Sequence, residues 1–132
     1  VLSAKLKHIH AWNDQRRVWA ARYTKGLQGV RNLDLPYEEP RYRHVFHLYV
    51  VQTDRRDELK GFLAERGVET AIHYPTALPL LPAYRYLGGD AAAFPRAAAT
   101  QSRILSLPMY PELSEAMIEH VAGSIRAFFA RS

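Results

Sequence analysis

His44-Val-Phe-His-Leu-Tyr-Val-Val-Gln52 is the most strand-like run of the chain, β-branched and aromatic throughout. The alternation predicts a strand over 44–52. Phe46, Leu48 and Val50 face one side of it, and Val45, His47, Tyr49 and Val51 the other. Apolar residues on both sides predict a sheet covered on both faces. Downstream, Asp54 to Arg66 reads as a helix, with Asp54 as its cap, Leu59, Phe62 and Leu63 as its buried stripe, and Gly67 as its left-handed terminator. Val68 to His73 reads as a second strand, stopped by Pro75. On this alternation Thr70 and Ile72 share one face, Ala71 and His73 the other. Phe94 to Arg103 is a further helix, Ile104 to Leu107 a short strand, and Ser114 to Ala130 a last helix. Ser114 caps the last helix, and Leu113 with Ile118 has the spacing of a hydrophobic staple.

Upstream, residues 3–27 carry apolar side chains at helical spacing: Leu6, Ile9, Trp12, Trp19, Tyr23 and Leu27. One long helix is expected there, with stop signals at Gly26 and Gly29 and its tryptophans buried against something large. Residues 30–43 form a connection in which Val30 to Leu35 offers a short strand. The whole order is a long helix, then strand, helix, strand, loop, helix, strand, helix. That describes an α/β (α+β) layer with helices on one face of a small sheet. Residues 1–29 form the linking helix and 30–132 the compact unit.

Composition narrows the function classes. The chain has 132 residues, 48% apolar and 23% charged, an ordinary globular mix. It has no cysteine, which excludes disulfides and thiolate zinc sites. No apolar run approaches the roughly 18 residues of a membrane span. The net charge of +5 is concentrated in residues 1–31, where seven basic side chains face Asp14 alone. Aromatic residues for base stacking are sparse there, so a solvated helix face explains the charge better than nucleic acid. The chain begins inside a helical pattern without a starting methionine, which reads as a cut edge.

Six histidines invite a metal, but the spacings argue against one. His8 and His10 diverge on a helix, and His44 and His47 face opposite sides of a strand. There is no glycine-rich phosphate loop and no Gly-x-Ser-x-Gly elbow. One constellation stands out: His73 and Tyr74, at a strand end, followed by the proline-rich stretch 74–94. Long irregular stretches are usually functional or disordered, and Tyr74, Tyr84, Tyr86 and several leucines speak against disorder. A histidine and a tyrosine there can project polar tips into a cleft. Equally, the histidine can simply cap the strand while the tyrosine packs on the loop.

The stretch Val68-Glu-Thr-Ala-Ile-His-Tyr-Pro-Thr-Ala-Leu-Pro-Leu-Leu-Pro-Ala-Tyr84 resembles the C-terminal region of the DegT/DnrJ/EryC1/StrS sugar aminotransferases. Three further segments agree in order: His44 to Val51, Asp57 to Gly67, and Leu105-Ser-Leu-Pro-Met-Tyr-Pro-Glu-Leu113. The first helix, with Lys5-Leu-Lys-His8 and Trp12-Asn13, is similar to the helix that leaves the family's large domain. Members often read Ile-Pro-Leu-His-Leu-Gln after His-Tyr-Pro. Here Pro79 stands for that histidine and Leu81 for the glutamine.

The resemblance implies the small C-terminal domain of a fold-type-I aminotransferase. Pyridoxal phosphate would be held mainly by a large domain that this chain lacks, on a lysine that Lys5, Lys7, Lys25 and Lys60 do not match. Neither catalytic nor cofactor-binding residues are therefore assigned to this chain. The full enzyme would move an amino group from glutamate to a nucleotide-linked keto sugar, in the cytoplasm and as a homodimer. This domain would close the cleft, with His73 and Tyr74 binding substrate. The competing reading is a free-standing regulatory or ligand-binding α/β domain.

Overall fold

In a computed structural model, which describes residues 2–131, the chain forms five α-helices, two 3₁₀ turns and a two-stranded sheet. The helices are α1 (Leu2–Leu6), α2 (Ile9–Leu27), α3 (Arg56–Ala64), α4 (Pro95–Gln101) and α5 (Glu115–Phe129). The strands are β1 (Tyr49–Gln52) and β2 (Ile104–Leu107). They pair antiparallel, with Tyr49 opposite Leu107 and Val51 opposite Leu105. Single bridges extend the sheet on both sides, Asp34 to Gln52 and Ala71 to Ser106.

The core lies where α2, α3 and α5 meet one face of this sheet. Tyr49, Val51, Leu105 and Leu107 point into it, with Tyr23 and Leu27 from α2, Leu59 and Leu63 from α3, and Ile118, Val121, Ile125 and Phe128 from α5. The remaining face, carrying Val50 and Gln52, is only half-buried, so the expectation of two covered faces is corrected. Tyr23 donates its hydroxyl to the Pro108 carbonyl at 3.1 Å, and the Tyr49 hydroxyl meets Thr24 Oγ1 at 2.9 Å. Both buried phenols thus keep a partner, as burial of a hydroxyl requires.

Several expected elements are shorter than the sequence suggests. The first helix breaks at Lys7 and His8, and its opening turn buries no described residue; Leu2 and Leu6 are 79% and 63% exposed. Gly26 is no stop signal. It lies inside α2, where an added Cβ would come within 3.2 Å of Ala122 Cβ, so it permits the close approach of α2 to α5. Trp12 and Trp19 are half-buried rather than sealed, and Trp19 donates Nε1–H to the Pro111 carbonyl at 3.1 Å.

The strand expected over 44–52 begins only at Tyr49. His44 Nδ1 accepts the Phe46 amide at 2.9 Å, and Phe46 sits at φ 49°, outside extended geometry. Asp54 does not cap α3. It pairs with Arg103, while Thr53 Oγ1 accepts the Arg55 amide. Residues 68–73 form no strand beyond the bridge at Ala71. Within the proline-rich stretch the chain forms two 3₁₀ turns, Leu78–Leu80 and Pro82–Leu87, because Pro79 and Pro82 remove amides from any α-helical ladder.

Other details follow the sequence. Gly67 at φ 71° lets the Val68 amide return to the Leu63 carbonyl at 3.0 Å, which closes α3. Ser114 Oγ accepts the Met117 amide, and the staple residues Leu113 and Ile118 are both buried. None of the helices among the described residues is long and apolar enough to cross a membrane.

Candidate functional site

Beyond Val68 the chain leaves the core: no residue from 69 to 104 is fully buried. Three hydrogen-bonded contacts fasten residues 71–77. Ala71 exchanges both backbone hydrogen bonds with Ser106, at 3.1 and 2.7 Å. The Ala77 amide donates to Gln101 Oε1 at 2.8 Å. His73 Nδ1 lies 2.9 Å from Ser106 Oγ.

These ties place His73 in a cleft of about 300 Å³ whose walls include Leu48, Thr70, Ala71, Ser106 and Met109. The expected alternation does not hold here. Thr70, Ala71 and His73 all line the cleft, while Ile72 packs on the core. With one bridge instead of a strand, the backbone is free to depart from a two-residue period.

Tyr74 does not line this cleft. Its peptide bond to His73 is cis, its ring meets the His73 ring edge-on at 5.6 Å, and it is 73% exposed. The two expected site residues are therefore adjacent but face different surroundings. His73 is held at the cleft wall and Tyr74 stands in solvent.

Ser106 was missed by the sequence reading. The available signal was a lone hydroxyl in the otherwise apolar run Ile104-Leu-Ser-Leu107. Ser106 is only 4% exposed, and a hydroxyl buried that far needs a partner. Gln101 was missed too, since nothing in its sequence context marks a side chain that anchors a loop 24 residues away.

A larger cleft of about 610 Å³ adjoins the first, sharing Glu69 and Pro108. Its walls are chiefly apolar. Its one histidine, His120, donates Nε2–H to the Arg66 carbonyl at 3.0 Å and so serves the end of α3. A third hollow of about 390 Å³ lies within the 3₁₀ segment, between Leu78, Tyr84, Leu87 and Phe94, and has no titratable group besides Tyr84. Of the three, the smallest offers the most chemistry, because it brings an imidazole and a hydroxyl to one wall.

Half of the basic side chains of α2 are paired with carboxylates of the chain. Arg17 pairs with Glu38 and donates to the His44 carbonyl, and Arg22 pairs with Glu115. Arg43 from the following connection reaches back to Asp14. The Arg17 guanidinium, helped by the His44 amide, holds the Glu38 carboxyl below the usual carboxylate range. Lys5, Lys7, Lys25 and Lys60 are all exposed, and none lines the cleft with His73.

The family model described as the DegT/DnrJ/EryC1/StrS aminotransferase family matches residues 1–126. The "Pleiotropic regulatory protein" of Geobacillus stearothermophilus is 40% identical over 131 residues, covering 98% of this chain and 35% of its own length. The dTDP-3-amino-3,4,6-trideoxy-alpha-D-glucose transaminase of Streptomyces venezuelae is 37% identical, covering 99% of this chain and 35% of its own. Among solved structures, S. venezuelae DesV in complex with a ketimine intermediate superposes with a TM-score of 0.95 at 37% identity, over 100% of this chain and 36% of that one. This chain thus spans about a third of the length of the relatives it matches.

Proposed function

This chain belongs to the DegT/DnrJ/EryC1/StrS aminotransferase family, and from that membership we propose that it is the C-terminal, cleft-closing part of an enzyme that aminates a nucleotide-linked keto sugar. The observation that carries the reading is the match of the whole chain, at a TM-score of 0.95, to 36% of a sugar-aminotransferase structure. In the proposed reaction glutamate gives up its α-amino group in exchange for the keto oxygen of the sugar. The products are 2-oxoglutarate and an amino sugar.

We assign no pyridoxal-phosphate-binding residue to this chain. Its four lysines stand in solvent, on or beside helices α1 to α3, away from the His73 cleft. In the proposed enzyme the cofactor is held elsewhere, and this part supplies shape and hydrogen bonds. His73, tied to the cleft wall, positions the sugar, and Tyr74, exposed beside it, closes over substrate from the rim. α1 and the start of α2 lead to the remainder of the protein. The exposed apolar residues of α1 and of 78–94 support further protein covering them, such as the second subunit of a homodimer. The reading places the enzyme in the cytoplasm.

The test compares the 132-residue chain with the full-length protein that carries it. Each is supplied with pyridoxal phosphate, 2-oxoglutarate and dTDP-3-amino-3,4,6-trideoxyglucose, so that the reaction runs in reverse and glutamate is measured. We expect glutamate from the longer protein and none from the chain alone. Turnover by the chain alone would overturn the assignment of chemistry to the rest of the enzyme. If neither turns over this or any other nucleotide-linked amino sugar, the reading as an aminotransferase part is wrong.

A further inference from the structure

Resting on the reading that His73 meets the substrate, we propose that Ser106 is the positioning residue of His73, gripping Nδ1 so that Nε2 is the nitrogen presented to the nucleotide-linked sugar. The grip is built into the backbone. Ser106 sits in β2, opposite Val50, and both its amide and its carbonyl are engaged by Ala71. Its Cα is therefore pinned from two sides, and its side chain points away from the helical core that Leu105 and Leu107 enter. Two residues beyond Ala71, His73 returns its ring to this hydroxyl at 2.9 Å. A ring swinging freely from an irregular segment would lose rotamer entropy on meeting substrate; a ring already held does not.

Serine suits this position for a chemical reason. Its hydroxyl both donates and accepts, so it can face Nδ1 when that nitrogen is bare and when it bears a proton. The contact therefore survives either neutral tautomer and the imidazolium. Ring orientation stays constant while Nε2 changes from donor to acceptor, which a lysine or carboxylate partner would not permit. Nε2 has no hydrogen-bond partner among the described residues. No buried side-chain nitrogen or oxygen among them lacks a partner, so Nε2 is open to solvent. His73 and Ser106 border the same cleft, with Thr70 and Met109 on its other walls. Tyr74 lies against the edge of the ring, and Glu69 lines the same cleft.

Two measurements on the full-length protein test this. Imidazole ¹⁵N spectra report the hydrogen bond at His73 Nδ1. Ser106→Ala should shift the Nδ1 resonance, and Ser106→Thr should restore it. With dTDP-3-amino-3,4,6-trideoxyglucose and 2-oxoglutarate as the probe pair, Ser106→Ala should lower kcat/KM for the sugar by about 3- to 10-fold, the scale of one neutral hydrogen bond. It should leave KM for 2-oxoglutarate unchanged, and Ser106→Thr should recover most of the loss. In a His73→Ala background, Ser106→Ala should have no further effect. An equal loss in both backgrounds, or an unaltered His73 spectrum in Ser106→Ala, overturns the proposal.

Should Ser106→Ala fail to fold, His73→Gln and His73→Asn take over. Gln keeps a polar atom near the Nε2 position and Asn one near Nδ1, so Gln should retain more turnover; the reverse order overturns the proposal. If His73→Ala leaves turnover intact while the spectra still couple His73 to Ser106, the placement of His73 at the substrate fails and the ring–hydroxyl grip stands.

Discussion

Residues 69–104 and the core they depart from contain the same kinds of side chain used in opposite ways. In the core, Tyr23, Tyr49, Leu59, Leu63 and Leu105 are sealed between three helices and a sheet. In the excursion, Tyr74, Leu78, Tyr86 and Leu87 are mostly exposed. The difference is periodicity. α2, α3 and α5 present most of their apolar residues on one stripe, so the helices bury them against one another and one sheet face. The excursion is cut by Pro75, Pro79 and Pro82, so its apolar residues lie on no common face. One region holds the fold. The other projects a surface and is fastened by a few polar ties.

That contrast is sharpest under truncation. Leu59→Ala or Leu105→Ala, both fully buried, should cost about 2–5 kcal/mol of stability. Leu87→Ala or Tyr86→Ala should stay within about 0.5 kcal/mol. Thermal unfolding of the four variants decides it. A Leu87→Ala loss comparable to Leu105→Ala would erase the distinction drawn between the two regions.

His73 should behave the other way round. His73→Ala in the full-length enzyme should lower kcat/KM by about one to three orders of magnitude, on the scale of lost positioning contacts. The stability of the chain should fall by no more than about 1 kcal/mol, the worth of the contact to Ser106. Paired kinetics and unfolding measurements separate the two. If the protein unfolds while activity per folded molecule is unchanged, His73 belongs to the fold and not to the site.

Smaller effects come from the core phenols. Burial pushes the hydroxyls of Tyr23 and Tyr49 above their ordinary range, and neighbouring phenols add to the rise at Tyr23. Raised folded-state values mean that the stabilisation is whole below the ordinary tyrosine pKa of about 10 and is lost as pH climbs from there. The melting temperature should therefore drop on the alkaline side of about pH 10. Tyr23→Phe, which gives up the bond to the Pro108 carbonyl, should cost about 1 kcal/mol at neutral pH and flatten that alkaline slope. An unchanged slope would show that Tyr23 ionises as freely in the fold as outside it.

Least of all should come from the surface pair Arg17–Glu38. The Glu38 carboxyl is held low, so its contribution is present above the ordinary glutamate value and is lost as pH falls through the folded-state value. Glu38→Gln should lower the melting temperature by less than Tyr23→Phe, and salt should shrink the difference further. A loss that is larger, or indifferent to salt, would mark the pair as a structural clamp between α2 and the 30–43 connection.

The sequence by itself determined helices α2 to α5 and the strand Ile104–Leu107, the stripes of α2, α3 and α5, the Gly67 and Ser114 caps, and the family resemblance that the comparisons bear out. Those features rest on neighbours within about four residues, or on similarity carried by the letters themselves. The tertiary structure alone decided where regular structure stops. β1 starts late because the His44 ring captures the Phe46 amide, α2 continues through Gly26 because Ala122 packs there, and residues 68–73 keep one bridge instead of a strand. It also decided which side chains share the cleft. Ser106 stands 33 positions from His73, and no local period encodes a hydrogen bond made only when two distant segments pair as sheet edges.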